Sequence, residues 1–338
     1  MNNGLSRKET NIIKVFLIVG ILFIIAGAYS CFSQIEVTET NYKSTSEDET
    51  DAKNYLLGLI NRDRNAHGVP PVDLGANIAA QLHADDMLKH GYIGHWWVDG
   101  RKPYMVYAET GGRSYASENV AFSGWMDKDW DLDDCDSYNV ICEMGDHTDD
   151  IKDHQWAMMY DDAHADWGHR DNILNPTHRT VHLGITWNKK RLALVQHFSG
   201  GDAVAQSLPV LSSSAELNFT MKKNINGMEV SRAFVYFDPL PSDRSPQAIN
   251  RLESYCVGGG FTSDCPEPIA MILRPPNPGF EYIDLDSNDL IADKWIDKDT
   301  DFSFSVKTKG LLQKPGVYTL SVISNDDSLL VELPIKTE

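Results

Sequence analysis

Three short segments of the chain each place one ionisable side chain among glycine or small polar neighbours. These segments are Gly94-His95-Trp96, Ser117-Glu118-Asn119 and Gly168-His169-Arg170. Imidazole nitrogens and a carboxylate are ligands that zinc and similar divalent cations accept. If the segments meet in one cleft, they could hold such a cation or an activated water. Spacing alone does not bring them together, because long stretches of chain separate them.

The elements that must position these residues are predicted to be helices followed by a strand. Apolar residues recur at three- and four-residue spacing from about Asp51 and predict a first helix. Its buried stripe is predicted to be Ala52, Leu56, Leu59 and Ile60. A second helix is predicted from Asn77 to His90, ended by Gly91. Its inward-facing residues are predicted to be Ile78, Leu82, Met87 and Leu88. The segment 183–187 predicts a closing strand.

In order and spacing, these segments resemble the SCP domain of the CAP superfamily, the group of cysteine-rich secretory, antigen 5 and plant pathogenesis-related proteins. The resemblance runs from about Ala52 to Gly200. Its His-Arg-x-Asn-Ile-Leu form, at residues 169–174, is similar to the bacterial and archaeal branch. The resemblance implies an α+β fold, a three-layer α-β-α sandwich over residues 51–204. It also implies that His95, Glu118 and His169 line a central cleft.

Many members of this family carry a second acid in the cleft, on the helix before the second histidine. The matching segment here, residues 156–167, contains no glutamate. Asp161 or Asp162 could take that place with a shorter side chain, and His164 is a further candidate. The resulting set of candidate metal ligands is His95, His169, Glu118, Asp161 and Asp162. The implied cofactor is a divalent metal ion, for which zinc is one candidate.

The N-terminus carries an uncharged, largely aliphatic run from Val15 to Phe32, preceded by Arg7, Lys8 and Lys14. A helix of about 20 apolar residues crosses a bilayer core, and positive flanks stay in the cytoplasm. We therefore expect residues 1–33 to anchor a single-pass protein whose bulk is extracellular. A cleaved signal peptide, or a lipoprotein box at Cys31, would also export the chain. Residues 34–50 are predicted to be a flexible linker.

Charge and cysteine content limit the classes of partner. The formal net charge of −19 repels phosphate backbones, which excludes nucleic acid as a partner. Many of the acids lie in residues 127–153, predicted as an acidic insertion in the CAP domain. Two local cysteine pairs, 135 with 142 and 256 with 265, predict disulfides in an exported chain. The cysteines concerned are Cys135, Cys142, Cys256 and Cys265.

Residues 211–338 change to short segments in which apolar and polar residues alternate, which predicts a smaller all-β domain of the Ig-like sandwich type. The predicted strands lie near residues 215–221, 230–237, 302–306, 318–322 and 329–334. This region contains no catalytic constellation. Two roles remain for this region, attachment and spacing.

Two functions from different classes fit these residues. The first is a binding module at the cell surface, whose cleft takes a divalent metal or a small ligand. The resemblance also implies that a lipid could bind elsewhere on the domain. The alternative is a metal-assisted hydrolase, peptidase- or esterase-like, using His95 and His169 to hold the metal and Glu118 to accept a proton from water. No nucleophile lies beside a base in the sequence, which favours binding. A structural surface protein is a third option.

Overall fold

The computed structural model describes residues 44–124 and 147–337. The predicted membrane anchor, most of the predicted linker and the Cys135–Cys142 pair therefore lie outside the described residues. Within the described residues, no helix is both long enough and apolar enough to cross a membrane. The predicted disulfide between Cys256 and Cys265 is present.

The N-terminal half of the described chain is a four-stranded sheet between two layers of helices. The helices are α1 (Ser46–Ala66), α2 (Ala79–His90), α3 (Pro103–Glu109), α4 (His147–Tyr160) and α5 (Gly168–Leu174). The strands are β1 (Asp73–Leu74), β2 (Ser117–Gly124), β3 (His178–Trp187) and β4 (Arg191–Gly200), in the order β1-β3-β4-β2. Along β4, Leu192 and Leu194 pack with α1, α4 and α5, whereas Ala193 and Val195 pack with α2. The predicted α-β-α sandwich is confirmed.

Helix α1 begins at Ser46, earlier than the start predicted near Asp51 and inside the predicted linker. Thr45 and Asp48 form a capping box there. The Thr45 hydroxyl accepts the Asp48 backbone N–H at 3.2 Å, and the Asp48 carboxylate accepts the Thr45 backbone N–H at 3.0 Å. The two residues thus satisfy donors that a bare helix end leaves unpaired. The predicted stripe of Ala52, Leu56, Leu59 and Ile60 is buried.

Helix α2 ends at Gly91, as predicted, but it buries a different face. Ile78 and Leu82 are 56% and 42% exposed, so the prediction that they face inward is wrong. The buried residues are Ala79, Ala80, His83, Ala84, Met87 and Leu88. The small alanines let α2 approach the sheet closely, and a Cβ atom built on Gly184 of β3 would lie 2.0 Å from the Ala80 carbonyl oxygen.

Helix α4 occupies the end of the predicted acidic insertion, because residues 147–153 are its first two turns. Asp149 and Asp150 lie in the first turn, where acidic side chains complement the helix dipole. Farther along, Ile151, Met158 and Met159 are buried against the core that α1 and the sheet share. Residues 127–146 of that insertion lie outside the described residues.

The C-terminal half consists of two β-sheets packed around one core. Its elements are β5 (Ala203–Ala205), β6 (Val210–Leu211), β7 (Glu216–Lys223), β8 (Val230–Asp238), α6 (Pro246–Ile249), β9 (Ala270–Leu273), β10 (Leu290–Ile291), β11 (Lys294–Asp297), β12 (Asp301–Lys307), β13 (Val317–Ser324), β14 (Leu329–Pro334) and β15 (Lys336–Thr337). One sheet has the order β10-β9-β8-β13-β14, and the other β11-β12-β7-β6-β15 with β5 paired to β7. Phe219 and Phe302 from one sheet meet Val235 and Leu320 from the other. The predicted strand-rich architecture is confirmed.

Candidate functional site

Glu118 lies at the centre of a cluster of three histidines. It is the second residue of β2 and stands directly opposite His197 of β4 in the antiparallel ladder. Cross-strand partners project to the same face, and the His197 Nε2 atom lies 2.6 Å from Glu118 Oε2. His83, on the buried face of α2, places its Nδ1 atom 2.7 Å from the same oxygen. His95 places its Nδ1 atom 2.7 Å from Oε1.

This cluster is closed to solvent except at His95. The side chains of Glu118, His83 and His197 are 0% exposed, and that of His95 is 11% exposed. Burial alone raises the pKa of Glu118. The charge of His83 and the hydrogen bonds from His197, His83 and His95 outweigh that effect, so the pKa lies well below its usual value. Glu118 is therefore a carboxylate anion held by ring N–H donors.

His83, Glu118 and His197 offer ligand atoms that all lie within 4.8 Å of one another, close enough to surround one ion. Their outer ring nitrogens argue against that use. His83 Nε2 and His197 Nδ1 are buried with no hydrogen-bond partner within the described residues. A metal on the inner nitrogens would put an N–H on each outer nitrogen, and metal-ligating histidines almost always donate that N–H to an acceptor. The inner nitrogens of both rings already donate to Glu118, and an ion there would have to displace those protons, so the arrangement present is a hydrogen-bonded network.

His169 is held by a second buried carboxylate, that of Asp162. The His169 Nδ1 atom lies 2.6 Å from Asp162 Oδ1. The other oxygen, Oδ2, accepts the backbone N–H groups of His169 at 2.9 Å and Arg170 at 3.2 Å. Asp162 thereby caps the first turn of α5 from outside the helix, satisfying donors that otherwise lack partners. Asp162 is 1% exposed, whereas the His169 side chain is 24% exposed.

The turn between Asp162 and His169 is backbone-strained. Asp166 and Trp167 have φ angles of 50° and 62°, in the left-handed region that non-glycine residues rarely adopt. Each such residue costs on the order of 1 kcal/mol or more. The reversal brings the chain back over the start of α5, where the Trp167 N–H donates to the Asp162 carbonyl at 3.1 Å. The strained turn therefore fixes His169 beside Asp162.

His95 and His169 line one cavity of about 640 Å³. Its other ionisable lining residues on the N-terminal half are His154, Asp162, His164 and Asp166, and its apolar wall includes Val120, Phe122 and Met158. Glu118 is absent from this lining and lies behind His95. Asp161, the other aspartate considered from the sequence, is exposed and also absent from the lining. Of the five candidates, the structure thus brings His95, His169 and Asp162 to the cavity wall.

Three histidines of the candidate site were not identified from the sequence, where they have no partner motif. The alternation of β4 gives a signal for His197, since Ala193, Val195 and His197 share the face toward α2. The helical spacing from Ala79 and Ala80 gives one for His83. The third is His154 of α4, whose Nε2 atom lies 2.5 Å from the Ser123 hydroxyl. Burial lowers the pKa of His154. In the sequence no nucleophile lies beside a base, but the fold brings the Ser123 hydroxyl next to the His154 ring.

One protein family matches much of the N-terminal half of the described chain. The family model of CAP, the cysteine-rich secretory protein family, matches residues 57–198. Among solved structures, the chain is similar to the CAP domain of enterococcal PrgA at 15% sequence identity and a TM-score of 0.31. That match covers 46% of this chain and 63% of the other, so it spans less than two thirds of the PrgA structure. No curated protein sequence matches the chain.

Proposed function

Residues 57–198 are a CAP domain of the cysteine-rich secretory protein family, and from that premise we propose that the protein is an exported binding module whose cleft holds a divalent metal ion. His95 and His169 are the proposed ligands. The N-terminal apolar run, Val15 to Phe32, is the proposed anchor that keeps the domain on the extracellular side of the membrane.

One observation carries the proposal: each cleft histidine donates its Nδ1–H to a buried carboxylate. His95 does so to Glu118 at 2.7 Å and His169 to Asp162 at 2.6 Å. That hydrogen bond fixes the tautomer, so the Nε2 atom keeps its lone pair for a ligand. Histidines that bind metals are held in this way by carboxylates, which orient the ring and raise its basicity. Glu118 and Asp162 are thus proposed as positioning residues, behind the two ligands.

Further ligands are available on the same wall. His164 and Asp166 line the cavity, and neither side chain has a hydrogen bond or ion pair within the described residues. Zinc in catalytic sites takes three protein ligands and leaves a position open. A zinc ion bound here would act as a Lewis acid and lower the pKa of its water. Within the described residues, the ligand atoms of His95, His169 and either His164 or Asp166 do not all lie within 4.8 Å of one another, so these side chains would have to turn toward a shared ion to complete such a set.

Metal content tests this proposal. The full chain, purified in detergent, should retain about one equivalent of zinc after dialysis and lose it on chelation. The double variant His95→Ala, His169→Ala should retain none. A matched control is His90→Ala, which removes a histidine whose ring pairs with Asp86 and lies outside the cavity lining. Equal zinc content in the double variant and the control would reject the cleft as the binding site.

A hydrolase is the second candidate, and the Ser123–His154 pair is the observation that favours it. His154 lines the cavity and burial lowers its pKa, which keeps its ring neutral and able to accept a proton. Glu118 is poorly suited to that role, because it is buried, already accepts three hydrogen bonds and has a low pKa. Turnover of peptide or ester panels that is lost in His154→Ala and in Ser123→Ala would support hydrolysis. If no substrate is turned over, the hydrolase function is rejected.

A further inference from the structure

Most of the segment between β8 and β9, residues 239–265, crosses from the C-terminal sheets onto the CAP domain; we call residues 239–265 the strap. Its Arg244 N–H donates to the Val98 carbonyl at 2.7 Å, and its Asn250 side-chain oxygen accepts the Ile93 N–H at 2.9 Å. Ile249 is 0% exposed in the same core cluster as the buried face of α2. The strap is therefore packed into the CAP domain by main-chain and core contacts.

A buried lysine fastens the end of the strap. Lys102, 1% exposed at the start of α3, donates from Nζ to the Asp238 carboxylate at 2.9 Å. It also donates to the carbonyl oxygens of Cys256 at 2.6 Å and Gly258 at 2.9 Å. The disulfide from Cys256 to Cys265 closes the loop around these carbonyls. A buried ammonium with three acceptors is satisfied only if the strap stays in place.

The strap covers one side of His95. The Tyr255 ring centroid lies 5.0 Å from that of His95, and the Tyr255 hydroxyl donates to the Ala116 carbonyl at 3.3 Å. Next to Tyr255, the strap residues Asn250, Leu252, Glu253 and Ser254 line the same cavity as His95 and His169. The cleft wall is thus built from two parts of the chain, only one of which lies within the CAP family match.

Glu253 is the ionisable side chain that the strap adds to this wall. It has no hydrogen bond and no ion pair within the described residues. Glu253 is exposed, so its carboxylate favours a cation at the rim of the cavity through the moderate attraction of opposite charges near water. A spacer or attachment domain has no need of an acid in the wall of the cleft of its neighbour.

We propose that the strap is an integral wall of the binding cleft and that Glu253 strengthens the binding of a divalent cation there. The proposal rests on the metal-binding function proposed above and adds to it a residue from outside the CAP domain. The C-terminal half therefore takes part in ligand binding rather than serving as a spacer.

Zinc titration of the full chain, with Glu253→Gln, Glu281→Gln and His169→Ala compared against wild type, tests this. Glu281 is likewise an exposed acid and lies outside the cavity lining, so its variant removes the same charge elsewhere. We expect Glu253→Gln to weaken zinc binding by about tenfold, the effect of removing one charge several ångströms from a divalent cation in water. Glu253→Lys should weaken it further, and Glu281→Gln should bind as wild type does.

The outcomes separate the two proposals. If Glu253→Gln and Glu253→Lys bind zinc as wild type does while His169→Ala does not, the role of the strap is overturned and the metal-binding function stands. If His169→Ala also binds as wild type does, the metal-binding function fails and the role of Glu253 fails with it. Equal losses in Glu253→Gln and Glu281→Gln would show a general charge effect and would likewise overturn the role of Glu253.

Discussion

Glu118 and His197 face each other across the β2–β4 ladder, with 2.6 Å between Oε2 and Nε2 and neither side chain exposed. This pairing ties the sheet to the cleft, because the other oxygen of Glu118 holds His95. A single carboxylate therefore pairs with the sheet and orients the His95 ring at the cavity wall.

Replacing Glu118 by glutamine should destabilise the protein strongly. The amide would set an N–H₂ group against ring N–H donors, leaving buried polar groups unpaired. We expect the free energy of unfolding to fall by about 3 kcal/mol, as for other broken buried charge clusters. Urea denaturation measures this. Glu109→Gln, which breaks an exposed pair with Arg101, should cost less than about 1 kcal/mol. Similar losses in the two variants would contradict the buried network.

Two adjacent aspartates should behave differently. Asp162→Ala removes the cap of α5 and the acceptor of His169 Nδ1–H, whereas Asp161 is exposed and absent from the cavity wall. We expect Asp162→Ala to lower stability by about 1–2 kcal/mol and zinc affinity by about 10- to 100-fold. Asp161→Ala should leave zinc affinity unchanged. A loss of zinc affinity confined to Asp161→Ala would mean that the wrong aspartate has been placed behind His169.

Two glycine-to-alanine substitutions test the packing of the helices on the sheet. Gly184→Ala would push a Cβ atom to 2.0 Å from the Ala80 carbonyl oxygen, so we expect a loss of about 3 kcal/mol from overpacking. Gly58→Ala, inside α1, meets no atom within 4 Å and should gain about 0.5–1 kcal/mol from the better helix propensity of alanine. Thermal and urea unfolding would report both. Opposite signs are the expected result, and a tolerated Gly184→Ala would contradict the close contact between α2 and β3.

His178 should make the protein acid-sensitive. Burial, reinforced by the charge of Arg64, lowers its pKa from 6.5 to about 3. Between these values the unfolded state binds the proton and the folded state does not. The free energy of unfolding is therefore not reduced by His178 above pH 6.5, and it falls as the pH drops toward 3. The slope for one such group is at most about 1.4 kcal/mol per pH unit. His178→Phe, which keeps a ring against Phe198, should show a shallower fall. Parallel curves of stability against pH for the two proteins would contradict this assignment.

Much of the fold follows from local patterns. The stripe of α1 and the alternation of β7, β12 and β13 are set by neighbouring residues, so apolar spacing predicts them. The inward face of α2 does not follow, because its buried surface consists of alanines and His83 while the larger Ile78 and Leu82 lie outside. Helix α2 turns its small alanines toward the sheet because it lies close to Gly184 of β3. The apolar pattern of the helix alone does not predict this contact.

The candidate site divides in the same way. Family motifs predict His95, Glu118 and His169, since each stands in a recognisable segment. The partners that fix their roles come from tertiary contacts: His197 from strand register, His83 from helix docking and Tyr255 from the strap. Register and docking depend on residues far apart in the chain. The motifs alone therefore do not show that His95 lines the cavity while Glu118 lies behind it.

Zinc binding by His95 and His169 is measured most directly by a long-range ¹H–¹⁵N correlation spectrum of the full chain with labelled histidines, recorded with and without zinc. We expect the Nε2 signals of His95 and His169 to shift on zinc binding while their Nδ1 atoms stay protonated. The signals of His83 and His197 should keep their positions. Zinc-induced shifts at His83 and His197 instead, with His95 and His169 unchanged, would place the metal at the buried cluster and contradict the account.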